Sequence, residues 1–138
     1  MTLKPWLARA LRRALATGAM IVVAEAALYG TLYARPELPP PEVDGVEVLA
    51  MEGSHVVTDR AAVARIVAIV RSRSAEWTRF PETVCLLGTP GAVFYQGAVP
   101  RGSVTVGSRA IVLQGRNGAA TRMLSPREAA ELHRLLGL

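Results

Sequence analysis

One thiol and two imidazoles are the side chains in this sequence best suited to nucleophilic or acid–base chemistry: Cys85, His55 and His133. A thiol nucleophile needs an imidazole in contact to take its proton. The imidazole in turn needs a carboxylate in contact that orients it, and Asp59 follows His55 by four residues. The surroundings favour plainer roles. Cys85 stands in the apolar run Val84-Cys85-Leu86-Leu87, where a free cysteine behaves as a small hydrophobe. His55 follows a turn signal, and His133 borders the apolar stripe of a helix. A hydrolase built on Cys85 with His55 or His133 is therefore the lesser expectation.

Other chemistries lack their residues. The only lysine is Lys4, so no glycine-rich loop ends in the Lys-Ser/Thr pair that cradles a phosphate. There is no Gly-x-Ser-x-Gly elbow and no His-Glu-x-x-His helix. A single cysteine excludes a disulfide framework within the chain and a multi-cysteine metal site. No cofactor and no metal are expected, and the balance leans away from an enzyme.

Two further sets of residues point to binding. Glu25 is the one acid in an apolar stretch, residues 14–34, and Gly18 lies seven positions earlier on the same helical face. An acid in a membrane helix faces a partner or a water-filled cavity, and small residues let a second helix come close. Gly18 and Glu25 thus read as a docking stripe for another membrane helix. The alternative is a tolerated acid. Trp77 and Phe80 lie within a predicted break and read either as an exposed anchor for a partner or as a cap on the core.

Positioning these residues requires three stretches of different character. Residues 14–34 make a 21-residue run that, as a helix, spans about 31 Å, close to the thickness of a hydrocarbon core. Lys4, Arg9, Arg12 and Arg13 precede it and Tyr29 and Tyr33 sit near its far end. That arrangement predicts a single-pass anchor in the cytoplasmic membrane, N-terminus inside, with the rest of the chain periplasmic. Two other readings stay open. Ala24-Glu25-Ala26 matches a signal-peptidase site, which makes 1–26 a cleaved signal within the 1–34 segment, and the stretch also suits a hydrophobic helix of a soluble protein. Residues 35–45 hold four prolines and three acids and read as a stiff spacer.

Residues 46–138 read as one small α+β domain: strand, helix, antiparallel strands, helix, with two helices on one face of a meander sheet. The expected pieces are a strand over 46–51, a turn at Gly53-Ser54, and a short piece at 55–57. A helix capped by Thr58 or Asp59 then presents Ala62, Val63, Ile66, Val67 and Val70 and runs to Arg73. Residues 76–81 read as a break. Strands follow over 84–87 and 93–95, then a turn at Pro100-Arg101-Gly102. A type II′ hairpin on Gly107-Ser108 joins 104–106 to 109–113, and a second hairpin spans Gly115 to Gly118. The last helix carries the clearest signal: Ser125 as N-cap, Pro126 at N1, Glu128 completing a capping box, and Gly137 as terminator. This order of elements, with its closing Leu124-Ser125-Pro126-Arg127-Glu128, resembles small extracytoplasmic domains of bacterial membrane-anchored proteins.

Charge distribution separates the partners. The net charge is +5, but residues before 35 carry +3 of it, and from Arg35 onward 12 arginines are interspersed with 10 acids. No basic run or stripe emerges, so nucleic acid is not an expected partner. The expected partners are the lipid bilayer and another membrane or extracytoplasmic protein. The expected function is a non-catalytic interaction module or accessory subunit, with a cleaved periplasmic binder of inhibitor or immunity type as the alternative.

Overall fold

The computed structural model describes residues 37–80, 88–115 and 118–138. These form a small α+β domain with one seven-stranded antiparallel sheet and two helices. The strands are β1 (Gly45–Ala50), β2 (Gly53–Val57), β3 (Thr78–Phe80), β4 (Gly91–Gln96), β5 (Val99–Val106), β6 (Ala110–Gly115) and β7 (Gly118–Met123). Helix α1 covers Arg60–Arg71 and α2 covers Pro126–Leu136. Across the sheet the order is β2-β1-β4-β5-β6-β7-β3, and every neighbouring pair is antiparallel. Only β4 to β7 form a meander. The β1–β2 hairpin adds to one side of it, and β3 closes the other edge against β7.

Alternation along the strands sorts the two faces. Val46 and Val48, Ala92 and Phe94, Val104 and Val106, Ile111 and Leu113, and Ala120 all turn to one face and are buried. They join Val63, Ile66, Val67, Ile69 and Val70 of α1 and Leu132 and Leu136 of α2 in one cluster. α1 buries residues at spacings of three and four, and α2 buries Leu132 and Leu136 with Ala129 and Leu135 packed beside them, the stripe that a 3.6-residue period lays along one side. The segment before β1 belongs to this body too. Pro39 and Val43 are buried, Leu38 packs on the cluster, and the Arg71 guanidinium donates to the Pro39 carbonyl at 2.6 Å. The packed domain thus begins within the proline-rich stretch rather than after it.

Several local readings shift. The first turn is Met51-Glu52, not Gly53-Ser54. Gly53 opens β2 at φ +133, a conformation open chiefly to glycine. The expected break at 76–81 contains a 3-10 turn, Ser74–Glu76, and then β3. That strand's three residues find their ladder only on β7, 40 residues away in sequence. Pro100-Arg101-Gly102 is not a turn. It lies inside β5, where the register slips between Phe94 and Tyr95. The turn comes earlier, at Gly97-Ala98, and the Asp44 carboxylate accepts from the Gly97 amide. The β5–β6 loop is Ser108-Arg109, closed by the bond from Gly107 N–H to Ala110 C=O. Neither Ser108 nor Arg109 has positive φ, so the turn is not of the primed kind. Asp59 is the cap of α1, accepting from Ala62 N–H at 2.8 Å, and α1 ends at Arg71. The capping box of Ser125 and Glu128 and the left-handed Gly137 are present as expected. The expected strand over 84–87 lies outside the described residues.

Candidate functional site

Gly18, Glu25 and Cys85 lie outside the described residues, as does the whole of 14–34. Among the described residues no helix is long and apolar enough to cross a membrane, and no group of His, Cys, Asp and Glu is placed to hold a metal ion.

Both histidines are tied to backbone carbonyls. His55, on β2, turns to the helix face, and its Nε2–H donates to Leu136 C=O at 2.9 Å. That carbonyl is one of the four a helix C-terminus leaves without an internal partner. His133, on α2, donates from Nε2 to Gly107 C=O at 3.0 Å, tying the helix to the β5–β6 turn. In this geometry Nε2 carries the proton on each ring and is not available as a base. The described residues bring neither imidazole to a carboxylate.

Trp77 is half-buried and packs on the core cluster. The Arg122 guanidinium lies over its ring, 5.8 Å from the centroid, within cation–π reach. Trp77 therefore caps the core. Phe80 is paired through its backbone with Ala119; its side chain lies outside the described residues.

The densest polar arrangement surrounds Arg122, which sequence reading did not single out. It is 1% exposed, on the inner face of β7. One amino group donates to Ile69 C=O, near the end of α1, and the other reaches Glu128 at 3.2 Å. A cation over the last carbonyls of a helix also meets the negative end of its dipole. Glu128 takes further bonds from the Ser125 amide at 2.8 Å and from Arg73. Burial pushes the Glu128 carboxyl up, but hydrogen bonds from the Ser125 amide and hydroxyl and the Arg122 guanidinium outweigh it and hold it at about 2. Arg73 sits in the left-handed region at φ +49 and is held there by Glu76 at 2.8 Å, by Glu128, and by Met123 C=O at 3.2 Å. Two donors in the cluster, Arg122 Nε and Trp77 Nε1, are buried without a hydrogen-bond partner. The cluster joins the end of α1 to the start of α2. Its carboxylate is committed to four partners, Arg73, Arg122, the Ser125 amide and the Ser72 hydroxyl, and it presents no base to a substrate.

The sheet face away from the helices is different. Leu49, Gly91, Thr105, Val112, Thr121 and Thr78 stand in successive register across β1, β4, β5, β6, β7 and β3. A shallow groove of about 200 Å³ opens here, lined by Leu49, Gly91, Val93, Ser103, Thr105 and Val112. Leu49 is 44% exposed. Beside the groove the Tyr95 hydroxyl donates to Glu47 at 3.0 Å, and that bond raises the phenol's pKa. The groove was not anticipated because period-two alternation tells which residues share a face but not which face a helix covers. Comparison with protein-family models, with curated proteins and with solved structures finds no match.

Proposed function

We infer that the chain is a non-catalytic interaction module, held on the cytoplasmic membrane by residues 14–34 with its α+β domain in the periplasm, where it serves a membrane complex as an accessory subunit. The observation that carries this reading is the groove on the sheet face that neither α1 nor α2 covers. Its lining is apolar or hydroxyl-bearing and contains no titratable side chain. Such a surface suits an apolar segment of another membrane or extracytoplasmic protein; it offers nothing to make or break a bond. His55 and Glu128 are meanwhile occupied at helix ends, and His133 ties α2 to the β5–β6 turn.

The reading is tested with a photo-crosslinking residue at Val93 of the full chain in intact membranes. A discrete adduct with a membrane or periplasmic protein is the expected result, and a probe at Arg127, on the exposed side of α2, should not give it. Adducts at Arg127 but none at Val93 would overturn the reading. A cleaved periplasmic binder would use the same groove. It is recognised by an N-terminus at Ala27 instead of Met1.

A further inference from the structure

One patch of the sheet is buried on the side away from both helices. In β1 and β4 burial alternates: Val46, Val48, Ala92 and Phe94 are buried toward α1 and α2, while Leu49 on the other face is exposed. In β6 the run Ile111-Val112-Leu113 is buried throughout, and in β7 so are both Ala119 and Ala120. Leu113 and Ala120 belong to the core cluster. Val112 and Ala119 point the other way and stand outside that cluster, yet they are only 8% and 1% exposed. Continuous burial along a strand is the mark of a sheet covered on both faces. Neither α1 nor α2 supplies the second cover.

The topology names the segment that does. Strands β2, β3 and β4 run in the same direction, because an even number of antiparallel steps separates them across the sheet. A connection between parallel strands of one sheet crosses over one of its faces, and it is right-handed in about 98% of cases. From β2 to β3 the chain passes through α1, on the helix face, and travels from one edge of the sheet to the other. From β3 to β4 it travels back. Two crossovers of the same hand that run in opposite directions lie on opposite faces. The second therefore belongs on the face away from α1. The lateral step from β3 to β4 is about 19 Å, and the chain from Phe80 to Gly91 reaches at most about 36 Å, so the segment is long enough to cross obliquely. It returns on the far side of the patch from Phe80: a Cβ at Gly88 would stand 3.4 Å from the Met51 sulfur, at the β1–β2 turn.

We propose that residues 81–87 cross this face over β7 and β6 and are the cover of Ala119 and Val112. The run Val84-Cys85-Leu86-Leu87 has the apolar composition such a cover needs. The start of the chain is the poorer occupant, because it comes in on the helix side: Leu38 packs on the core cluster, and Arg71 of α1 holds the Pro39 carbonyl. Two consequences follow for function. Cys85 serves packing rather than chemistry. The part of this face left to a partner is the β1–β4–β5 side, which holds the groove, with Val112 at its boundary. The inference stands apart from the membrane placement and from the identity of any partner.

A photoreactive diazirine side chain at Thr121 of the purified full chain reads the neighbour directly. Thr121 lies between Val112 and Thr78 in the register, on the face in question. After irradiation and digestion, mass spectrometry should find residue 121 joined to a residue within 81–87 of the same chain. A probe at Ala64, on the exposed side of α1, should capture none of these residues. Thr105, on the other side of Val112, is the second probe position and carries the test if the Thr121 variant fails to fold. Adducts from Thr121 or Thr105 to residues 1–36 or to a second molecule, with none to 81–87, overturn the proposal. So does capture of 81–87 from Ala64, which would put the crossover on the helix face, and so do folded probe variants that give no adduct.

Discussion

Arg122 shows how one residue's surroundings set its worth. A guanidinium so thoroughly buried is retained only because Ile69 C=O, Glu128 and the Trp77 ring receive it. Removing it leaves Ile69 C=O and Glu128 each short of one charged donor, although Glu128 keeps Arg73 and the Ser125 amide; a lost hydrogen bond of this kind costs about 1–3 kcal/mol, and a cavity adds to it. Small domains total about 5–15 kcal/mol. Arg122→Ala should therefore melt far below wild type, while Arg122→Met, which refills the volume, should lose less. Equal losses for the two would mean that charge, not packing, dominates the site. Glu128 gives a pH signature. Its folded pKa of about 2 lies below the ordinary 4.5, so its contribution is full above about pH 4.5 and drains away as pH falls toward 2. The shift corresponds to about 3 kcal/mol. Wild-type melting temperature should fall steeply over that window. Glu128→Gln should be less stable at neutral pH and flatter in acid; parallel curves for the two proteins would place the acid-sensitive group elsewhere.

At the scale of elements, the helices begin and end by different rules. Each N-terminus is capped by a neighbour in sequence: Asp59 for α1 and Ser125 for α2. The C-terminal carbonyls are met from across the fold, Ile69 by Arg122 and Leu136 by His55. Ser125→Ala should cost about 0.5–2 kcal/mol, read as a drop in melting temperature, and it should also blunt the pH response of Glu128 by removing one of its donors. Gly137 combines both rules. Its φ is +68, and a Cβ there would stand 3.3 Å from His55 Nε2. Gly137→Ala should lose about 1 kcal/mol from the left-handed conformation and more if His55 is displaced. His55→Ala combined with Gly137→Ala should then be less than additive. Full additivity would mean that the histidine and the glycine act independently.

For the whole molecule, the proposed placement makes two topological predictions. A reporter enzyme active only in the periplasm should work when fused after Leu138; activity of a cytoplasm-only reporter there would reverse the orientation. If Glu25 docks a partner helix, Glu25→Leu should lower recovery of the Val93 adduct although the chain still inserts. A carboxylate in hydrocarbon depends on such a partner, and leucine does not. Equal recovery would leave the α+β domain as the only binding surface.

Much of this protein was legible from residues near one another in the chain. The α1 and α2 stripes, the Asp59 and Ser125 caps, the Gly137 stop and the α+β class follow from periodicity and local hydrogen bonding, which act over three or four residues. What the chain could not disclose locally is every feature made by distant partners. Thr78–Phe80 looks like a break until β7 supplies its ladder. Pro100-Arg101-Gly102 looks like a turn until β4 runs alongside it. Arg122 looks like a surface arginine because its charge argues for solvent; only α1, Trp77 and Glu128, brought together by packing, turn that cost into a joint between helices. The same holds for the groove and the β2 edge. Alternation sorts residues onto two faces of a sheet, but which face receives the helices and which strand ends up last are decided by how the seven strands are ordered.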